Sequence, residues 1–408
     1  MAVAALGIGC GDDDDGGGEG GGELGAGLDL KLGVLMPLTG PFASFGEDWA
    51  KASELAIDQS NDVAELKTTP EVGDDPGAEE GLREAQRMMG PGGVNAIIGG
   101  DSSTMVLLPD VAEREQVPVI SSYAGTVEIE PLTGEWLWRT VPGDSFQGNV
   151  VTKFFIDEEV PSAGILVENA ASTLSIAETF KTGFEESGGE ITADVTVDPG
   201  EPSYRSQVNE VVGTDPAFIL CACTLESGAS ILQELANSGY DGGIYAPAEL
   251  GTDEILQEIG PDVMEGAYSY TSGEDPDDPA FQRFTKDFKA ANGHEAAPFS
   301  ASAYDATNIA ILAAMVANST DGQAISDELV NVSAPPGEKV DSIASAIEAL
   351  QNGEEIDYDG ASGPVDITED GQAFASYAPI QARDGTWEPI GFYTVEDLAE
   401  IAELSSGN

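Results

Sequence analysis

Short apolar runs alternate with longer amphipathic stretches from residue 29 to about residue 275. The runs predict strands, and the stretches between them carry apolar residues three and four positions apart, which predicts helices. This alternation is typical of parallel sheets covered by helices on both faces, so the predicted fold class is α/β with doubly wound parallel sheets. The predicted strands are 31–36, 94–98, 117–120, 163–167, 191–197, 217–223 and 243–246, and the predicted helices are 47–60, 78–89, 104–115, 173–187, 205–212 and 227–238.

The pattern changes after residue 275. Helical stretches are predicted over 281–291, 301–317 and 342–352, and the last fifty residues read as β-rich with turn signals such as Asp370-Gly371. A chain of 408 residues is long enough for two domains.

The first strand–loop–helix unit points to a ligand site. An apolar run over 32–36 stops at Pro37, a loop rich in glycine and proline extends to Gly46, and Trp49 and Ala52 open a helical pattern. In open α/β sheets, ligands bind at loops that leave the carboxyl ends of the strands.

The charge balance is extreme, with 75 acidic against 15 basic residues and a formal net charge of −60. Nucleic acids and anionic membrane surfaces are excluded as partners because binding to them requires clusters of lysine and arginine. The excess acid predicts a solvated, self-repelling surface that stays soluble in high salt. Salt would screen this repulsion, so we expect a halophilic or marine source.

The first ten residues resemble the end of a lipoprotein signal. Residues 1–9 are small and apolar and lead to Cys10, the expected site of lipid attachment, and residues 11–27 are almost entirely Gly, Asp and Glu. That composition predicts a flexible, charge-extended tether. The alternative is a disordered tail with an incidental cysteine. No run of about 18 apolar residues that could form a membrane-spanning helix exists in the chain.

Two successive predicted strands end in hydroxyl-rich loops. The first loop contains Asp101-Ser102-Ser103-Thr104 and opens a helix, and the second covers 121–126. If the strands are parallel neighbours, both loops lie at one edge of the sheet. Free amides at a helix start bind anions such as carboxylates, and hydroxyls and carbonyls accept from an ammonium group. The alternative is that Asp101 or Ser102 only caps the helix.

Residues 31–48 and 94–149 resemble the type I periplasmic solute-binding proteins, the leucine/isoleucine/valine-binding family of ABC importers. The resemblance extends over roughly residues 30–393. It implies two α/β lobes joined by three crossover segments, which close on a small ligand like a hinge. The lobes would be 29–143 with 273–350, and 144–272 with 351–404, after a tether over 1–28.

The resemblance also assigns roles to residues in the two loops. Ser102 and Ser103 match the serine pair that binds the ligand carboxylate. The segment that contains Tyr123, Ala124 and Gly125 matches the loop where a backbone carbonyl and a threonine hydroxyl receive the ligand ammonium, and the threonine position falls on Gly125.

In the second half of the chain, Glu249 falls where the family has an acidic partner for the ligand ammonium. The resemblance also places Phe45, Ser172 and Thr224 at the pocket, where Phe45 matches an aromatic position. Ser172 and Thr224 stand where the family usually has tyrosine, so the ligand's side chain is left open.

The residues do not indicate an enzyme. The chain has one histidine, His294, and lacks the Gly-x-Ser-x-Gly, P-loop lysine and His-Glu-x-x-His motifs. We predict no cofactor, no metal and no catalytic residue.

The function predicted is therefore capture of a small amino acid of the branched-chain type, outside the cytoplasm, by a lipid-anchored monomer that delivers it to an ABC permease. An amide or urea ligand, a sensing module without transport, and an acidic scaffold that binds no small ligand are the alternatives.

Overall fold

The computed structural model describes residues 24–40, 42–272 and 278–405. The first sheet has five parallel strands in the order β2-β1-β3-β4-β5. Its strands are β1 (Asp29–Met36), β2 (Lys67–Asp74), β3 (Ala96–Gly99), β4 (Val119–Ser121) and β5 (Leu137–Arg139), and its helices are α1 (Ala43–Val63), α2 (Ala78–Met89), α3 (Ser102–Met105) and α4 (Pro109–Glu115). We call the part built on this sheet the first lobe.

The second sheet has seven strands and forms the second lobe. It is parallel from β7 to β10 and antiparallel where β14 and β15 complete it, in the order β15-β14-β10-β9-β8-β6-β7. Its elements up to β10 are α5 (Asp144–Asp157), β6 (Ser162–Glu168), α6 (Ala171–Glu186), β7 (Glu190–Val197), α7 (Arg205–Val212), β8 (Phe218–Ala222), α8 (Leu225–Ser238), β9 (Gly243–Tyr245), α9 (Asp253–Ile259), α10 (Pro261–Met264) and β10 (Tyr268–Ser272).

The chain then returns to the first lobe and finally to the second. The remaining elements are α11 (Pro279–Asn292), α12 (Ser300–Val316), α13 (Gly322–Ser333), β11 (Glu338–Val340), α14 (Ile343–Gln351), β12 (Ile356–Gly360), β13 (Gly363–Pro364), β14 (Tyr377–Arg383), β15 (Thr386–Pro389) and α15 (Val395–Ser405). The chain therefore passes between the lobes three times, and the predicted α/β class with two lobes is confirmed.

The first lobe extends further along the chain than we predicted. We had placed residues 351–404 in the second lobe. Ile356, Tyr358, Val365 and Ile367 instead pack in the same hydrophobic core as β1, α1 and α12. Strand β12 pairs with β11, so the short sheet that they form draws this segment onto the first lobe. Only the chain from about residue 375 returns to the second.

Local sequence explains which of the predicted helices and strands agree with the structure and which do not. The strands expected between 31 and 246 are present, and α2 and α7 have the predicted bounds. The single helix predicted over 104–115 is wrong. Pro109 cannot continue a helix because it lacks an N–H, so α3 ends before it and α4 begins with it. Helix α15 lies in the segment that we predicted as β-rich.

Among the described residues, no helix combines the length and apolar character needed to cross a membrane. Cys10 lies outside those residues, and lipid attachment there stays a prediction.

Asp305 connects α12 to the hairpin of β12 and β13. Its carboxylate is fully buried and accepts hydrogen bonds from the Tyr358 hydroxyl, the Ala361 N–H, and both the N–H and hydroxyl of Ser362. Burial raises the pKa of Asp305 to about 6, although each of these hydrogen bonds opposes the shift. The native state therefore binds a proton here more tightly than the unfolded chain does.

The raised pKa of Asp305 predicts how the free energy of unfolding depends on pH. A raised native pKa adds stability at low pH that is lost as the pH rises through about 6. We expect Asp305 to lower the free energy of unfolding by about 1 kcal/mol between pH 5 and pH 7.5. Urea unfolding at constant high salt should show this slope in the wild type and a shallower one in Asp305→Asn. Equal slopes in the two proteins would contradict the assignment.

Candidate functional site

A cavity of about 300 Å³ lies between the two lobes. It opens at the carboxyl ends of β3 and β4 in the first lobe and of β6, β8 and β9 in the second, as expected for an α/β ligand site. Its wall is formed by Phe42, Phe45, Trp49, Asp101, Ser102, Ser103, Tyr123, Val141, Pro142, Asp144, Gln147, Ala170, Ala171, Ser172, Thr224, Glu249, Pro298, Phe299 and Tyr377.

Most of the residues that the sequence singled out meet at this wall. Both lobes contribute, although the residues are up to 204 positions apart, from position 45 to position 249. The cavity is lined by Phe45, Ser102, Ser103, Tyr123, Ser172, Thr224 and Glu249, whereas Ala124 and Gly125 lie behind the wall.

The two serines are not equivalent. The Ser103 hydroxyl donates to Asp101 Oδ1 at 2.5 Å and accepts from the Ala78 N–H, so it holds the loop together. Asp101 also caps α3 by accepting from the Ser103 N–H, which fits the capping alternative that the sequence left open. The Ser102 hydroxyl oxygen accepts from the Thr126 N–H at 3.4 Å, and its hydrogen has no acceptor among the described residues.

Ala124 and Gly125 support the wall from behind. Ala124 is fully buried in the core of the first lobe, and its N–H donates to Ser121 Oγ. The Gly125 carbonyl accepts from the Asp144 N–H and from Arg139 Nη1. A Cβ at Gly125 would lie 2.0 Å from Asp144 Oδ1, so the Asp144 carboxylate fills the space that a side chain at position 125 would need.

Asp144 is the main site residue that sequence reasoning missed. Its side chain is 3% exposed, Oδ1 accepts from Gln147 Nε2 at 3.0 Å, and Oδ2 is buried without a hydrogen-bond partner in the described chain. Burial raises the pKa of Asp144 well above its usual range, and the negative charge of Glu249 adds to the shift. The resemblance covered this residue only as part of a crossover, so no signal marked it as a pocket wall.

Glu249 reaches the cavity from the turn that follows β9. Burial raises the pKa of its carboxyl, although a backbone N–H opposes the shift. Asp101, Asp144 and Glu249 all line the cavity, and no lysine or arginine is among the lining residues that the structure describes. The cavity is therefore electronegative and suits a ligand that carries a positive charge.

Aromatic rings form the apolar part of the cavity wall. The Trp49 ring lies 4.6 Å from the Tyr123 ring and 6.1 Å from the Phe45 ring, and it meets Phe299 edge-on at 6.5 Å. The Trp49 indole N–H donates to the Pro298 carbonyl at 2.6 Å, which fixes its ring. The sequence marked Trp49 only as an apolar helix position. These rings make a rigid apolar surface for a hydrocarbon side chain.

The second lobe also contributes the start of α6 and Thr224 to the cavity wall. Ser172 lies in the first turn of α6, whose N-cap residue Ala170 offers no capping side chain, and the start of this helix, Ala170 to Ser172, lines the cavity. Thr224 is held by Glu168, which accepts from both its N–H and its hydroxyl. Its hydroxyl is thus already engaged with a carboxylate.

The buried guanidinium of Arg139 stabilises the first connection between the lobes, which lies beside the cavity. The Arg139 guanidinium contacts the Gly125 carbonyl, Glu130 and Gln372, and its backbone N–H donates to the Gly371 carbonyl at 3.2 Å. Two of the three connections between the lobes are therefore joined at Arg139.

The chain resembles proteins that bind solutes. It is 25% identical over 384 residues to the chemotactic signal transduction system substrate-binding protein BasB of Halobacterium salinarum, covering 88% of each chain. Its fold matches the branched-chain amino acid transporter substrate-binding protein LivJ of Streptococcus pneumoniae, solved with isoleucine, with a TM-score of 0.75, 18% identity, and coverage of 90% of this chain and 99% of that one. It also matches an ABC transporter solute-binding protein of R. palustris, solved with benzoate, with a TM-score of 0.74, 18% identity, and coverage of 90% and 96%.

The match to a family extends over nearly the whole chain. Residues 29–386 match the periplasmic binding protein family, whose members bind solutes outside the cytoplasm and are not enzymes. The resemblance seen in the sequence is thereby confirmed, and the chain belongs to the periplasmic binding protein family.

Proposed function

We propose that the protein captures a small amino acid with an apolar side chain, of the branched-chain type, and delivers it to an ABC permease. One observation carries the choice of ligand: the carboxylates of Asp144, which is buried, and Glu249, which is half-buried, line the cavity together, and no lysine or arginine is among its described lining residues. A ligand ammonium would neutralise this pair through charge-assisted hydrogen bonds.

The other wall elements fit the rest of such a ligand. The Ser102 hydroxyl and the amides at the start of α6 can donate to a carboxylate, and the macrodipole of a 16-residue helix favours an anion there. The ring cluster of Phe45, Trp49, Tyr123 and Phe299 can cover a hydrocarbon side chain.

Hinge closure follows from this division of contacts. Ser102 and the ring cluster belong to the first lobe, and Glu249 and α6 belong to the second. A ligand that touches both lobes binds the closed form better than the open one, so it shifts the equilibrium toward closure.

Aromatic carboxylates such as benzoate, and uncharged amides or urea, are less well supported. A benzoate anion would face Asp101, Asp144 and Glu249 without a lysine or arginine among the described lining residues. Urea or an amide would bring no positive charge to Asp144 and Glu249, whereas a ligand ammonium would pair with them.

The test is thermal unfolding of the full chain in high salt with matched ligands. A ligand that binds only the native state raises the midpoint by mass action. We expect leucine, isoleucine or valine to raise it, and 4-methylpentanoate, which lacks the amino group of leucine, to have no effect. A shift with benzoate or urea and none with any amino acid would overturn the proposal.

Sensing is a second candidate, and the similarity to BasB, a chemotactic substrate-binding protein, favours it. The binding chemistry would be the same. In cells that carry the gene, deletion should abolish amino-acid uptake if the protein serves transport. Loss of attraction to the amino acid with intact uptake would assign it to sensing.

A further inference from the structure

Three carboxylates converge on the first lobe, outside the ligand cavity. Asp357 and Asp359 are alternate residues of β12 and therefore project from the same face of the strand, and Asp366 follows β13. One oxygen from each of the three lies within 4.8 Å of the other two. Neither the ligand cavity nor the crossover at Arg139 uses these residues.

The cluster lacks the partners that buried carboxylates normally have. Asp357 is 2% exposed, and its Oδ1 has no hydrogen-bond partner among the described residues. The Oδ1 atoms of Asp359 and Asp366 are also shielded from solvent, and neither has a hydrogen-bond partner in the part of the chain that the structure describes. Buried polar atoms without a partner are rare in folded proteins, and each one costs free energy.

The charge of the cluster is only partly balanced. Lys339, on the neighbouring strand β11, forms an ion pair with Asp359 Oδ2, and this lysine side chain is 66% exposed. Burial raises the pKa of Asp357 and of Asp366, with repulsion from the other carboxylates adding to it and Lys339 opposing it. Among the described residues, Lys339 is thus the one cation that faces these three carboxylates.

The spacing of the three oxygens matches one metal ion. Ca²⁺ binds carboxylate oxygens at about 2.3–2.6 Å, so oxygens on opposite sides of the ion lie up to about 5 Å apart. Mg²⁺ needs distances of about 2.0–2.1 Å and near-ideal octahedral geometry, and it usually keeps several waters and binds one or two carboxylates, so three convergent carboxylates suit Ca²⁺ better. We propose that Asp357, Asp359 and Asp366 bind one calcium ion in the first lobe.

The position of this site gives the ion a structural role. Strands β12 and β13 are tied to α12 through Asp305, and the chain continues from Asp366 to Gln372, which contacts Arg139 at the crossover. A bound ion would join β12 to the segment that leads into this third connection. It would stabilise the first lobe without touching the amino-acid pocket.

Calcium titration of the EDTA-treated full chain by calorimetry, at constant ionic strength, tests the proposal. We expect one saturable site in the wild type and a calcium-dependent rise in the unfolding midpoint that equal ionic strength of NaCl does not reproduce. Asp366→Asn and Asp359→Asn should each weaken calcium binding by about tenfold or more, because ligand charge sets the affinity of such sites. Glu355→Gln is the matched control, since it removes an exposed acid next to β12 and should leave the isotherm unchanged.

Lys339→Gln separates ion binding from a purely structural cluster. The lysine occupies an oxygen of Asp359 and repels a cation, so its removal should tighten calcium binding severalfold while it lowers the calcium-free midpoint. A wild type without a saturable site, or an Asp366→Asn isotherm identical to that of the wild type, would overturn the proposal. A response to magnesium at equal concentration and with equal affinity would overturn the assignment to calcium.

Discussion

Replacing Glu249 by glutamine is expected to weaken amino-acid binding by about 100-fold or more, because removing one partner of a buried charged pair costs about 2–5 kcal/mol. Asp144→Asn should have an effect of similar size. Each change keeps the shape of the side chain and removes only its charge. Calorimetric titration with the amino acid identified by thermal unfolding gives the affinities.

The same two variants should be more stable than the wild type when no ligand is present. Burial disfavours the charged forms of Asp144 and Glu249, and the charge of Glu249 adds to the cost at Asp144, so neutralising either one relieves an unfavourable interaction. A higher unfolding midpoint without ligand, together with a weaker affinity for the amino acid, would show that these carboxylates reduce stability but contribute to ligand binding.

Glu210→Gln is the control for these variants, because Glu210 is exposed on α7 of the same lobe and does not line the cavity. It should change neither the affinity nor the ligand-free midpoint appreciably. If Glu249→Gln and Asp144→Asn bind the amino acid as tightly as Glu210→Gln does, the ammonium is held elsewhere and the proposed ligand orientation fails.

Raising NaCl from 0.1 M to 2 M is expected to increase the unfolding midpoint by on the order of 10 °C, because a net charge of −60 makes the compact state repel itself. The screening length falls from about 10 Å at 0.1 M to about 3 Å at 1 M, so most of the gain should come below 1 M. Choline chloride at equal ionic strength should produce the same rise in the unfolding midpoint. A midpoint that does not depend on salt would contradict the predicted adaptation to high salt.

A charge-neutralised variant checks the cause of this dependence. Glu185 and Glu186 end α6, where no basic residue offsets the negative end of the helix dipole, and both are exposed. Glu185→Gln combined with Glu186→Gln should raise the midpoint at 0.1 M NaCl more than at 2 M. An equal change at both salt concentrations would point to helix propensity rather than repulsion.

Much of the fold could be predicted because its signals are local. The apolar runs of β1, β6 and β8 and the periodicity of α2 depend on neighbouring residues in the chain, which sequence patterns report directly. The placement of 356–367 on the first lobe was missed because it depends on the pairing of β12 with β11, across a helix, and no local pattern encodes that contact.

The pocket was predictable in part for a similar reason. Ser102 and Glu249 lie in loops that follow strands, and the family resemblance pointed to them. Asp144 was missed because it lies at the start of a helix in a crossover, and a chain with 75 acidic residues gives no reason to single out one of them. Only the burial of its Oδ2 without a partner sets it apart, and burial is a property of the assembled lobes.

The buried Arg139 constrains how the lobes can move. Its side chain contacts Gln372 and its backbone N–H contacts the Gly371 carbonyl, so the first and third connections are fastened side by side at one point. Two connections that are hydrogen-bonded to each other in this way can bend together, but sliding past each other would break these hydrogen bonds. We therefore expect the two connections to bend together at Arg139 when the lobes close, which limits the ways in which the residues of one lobe can meet those of the other across the cavity.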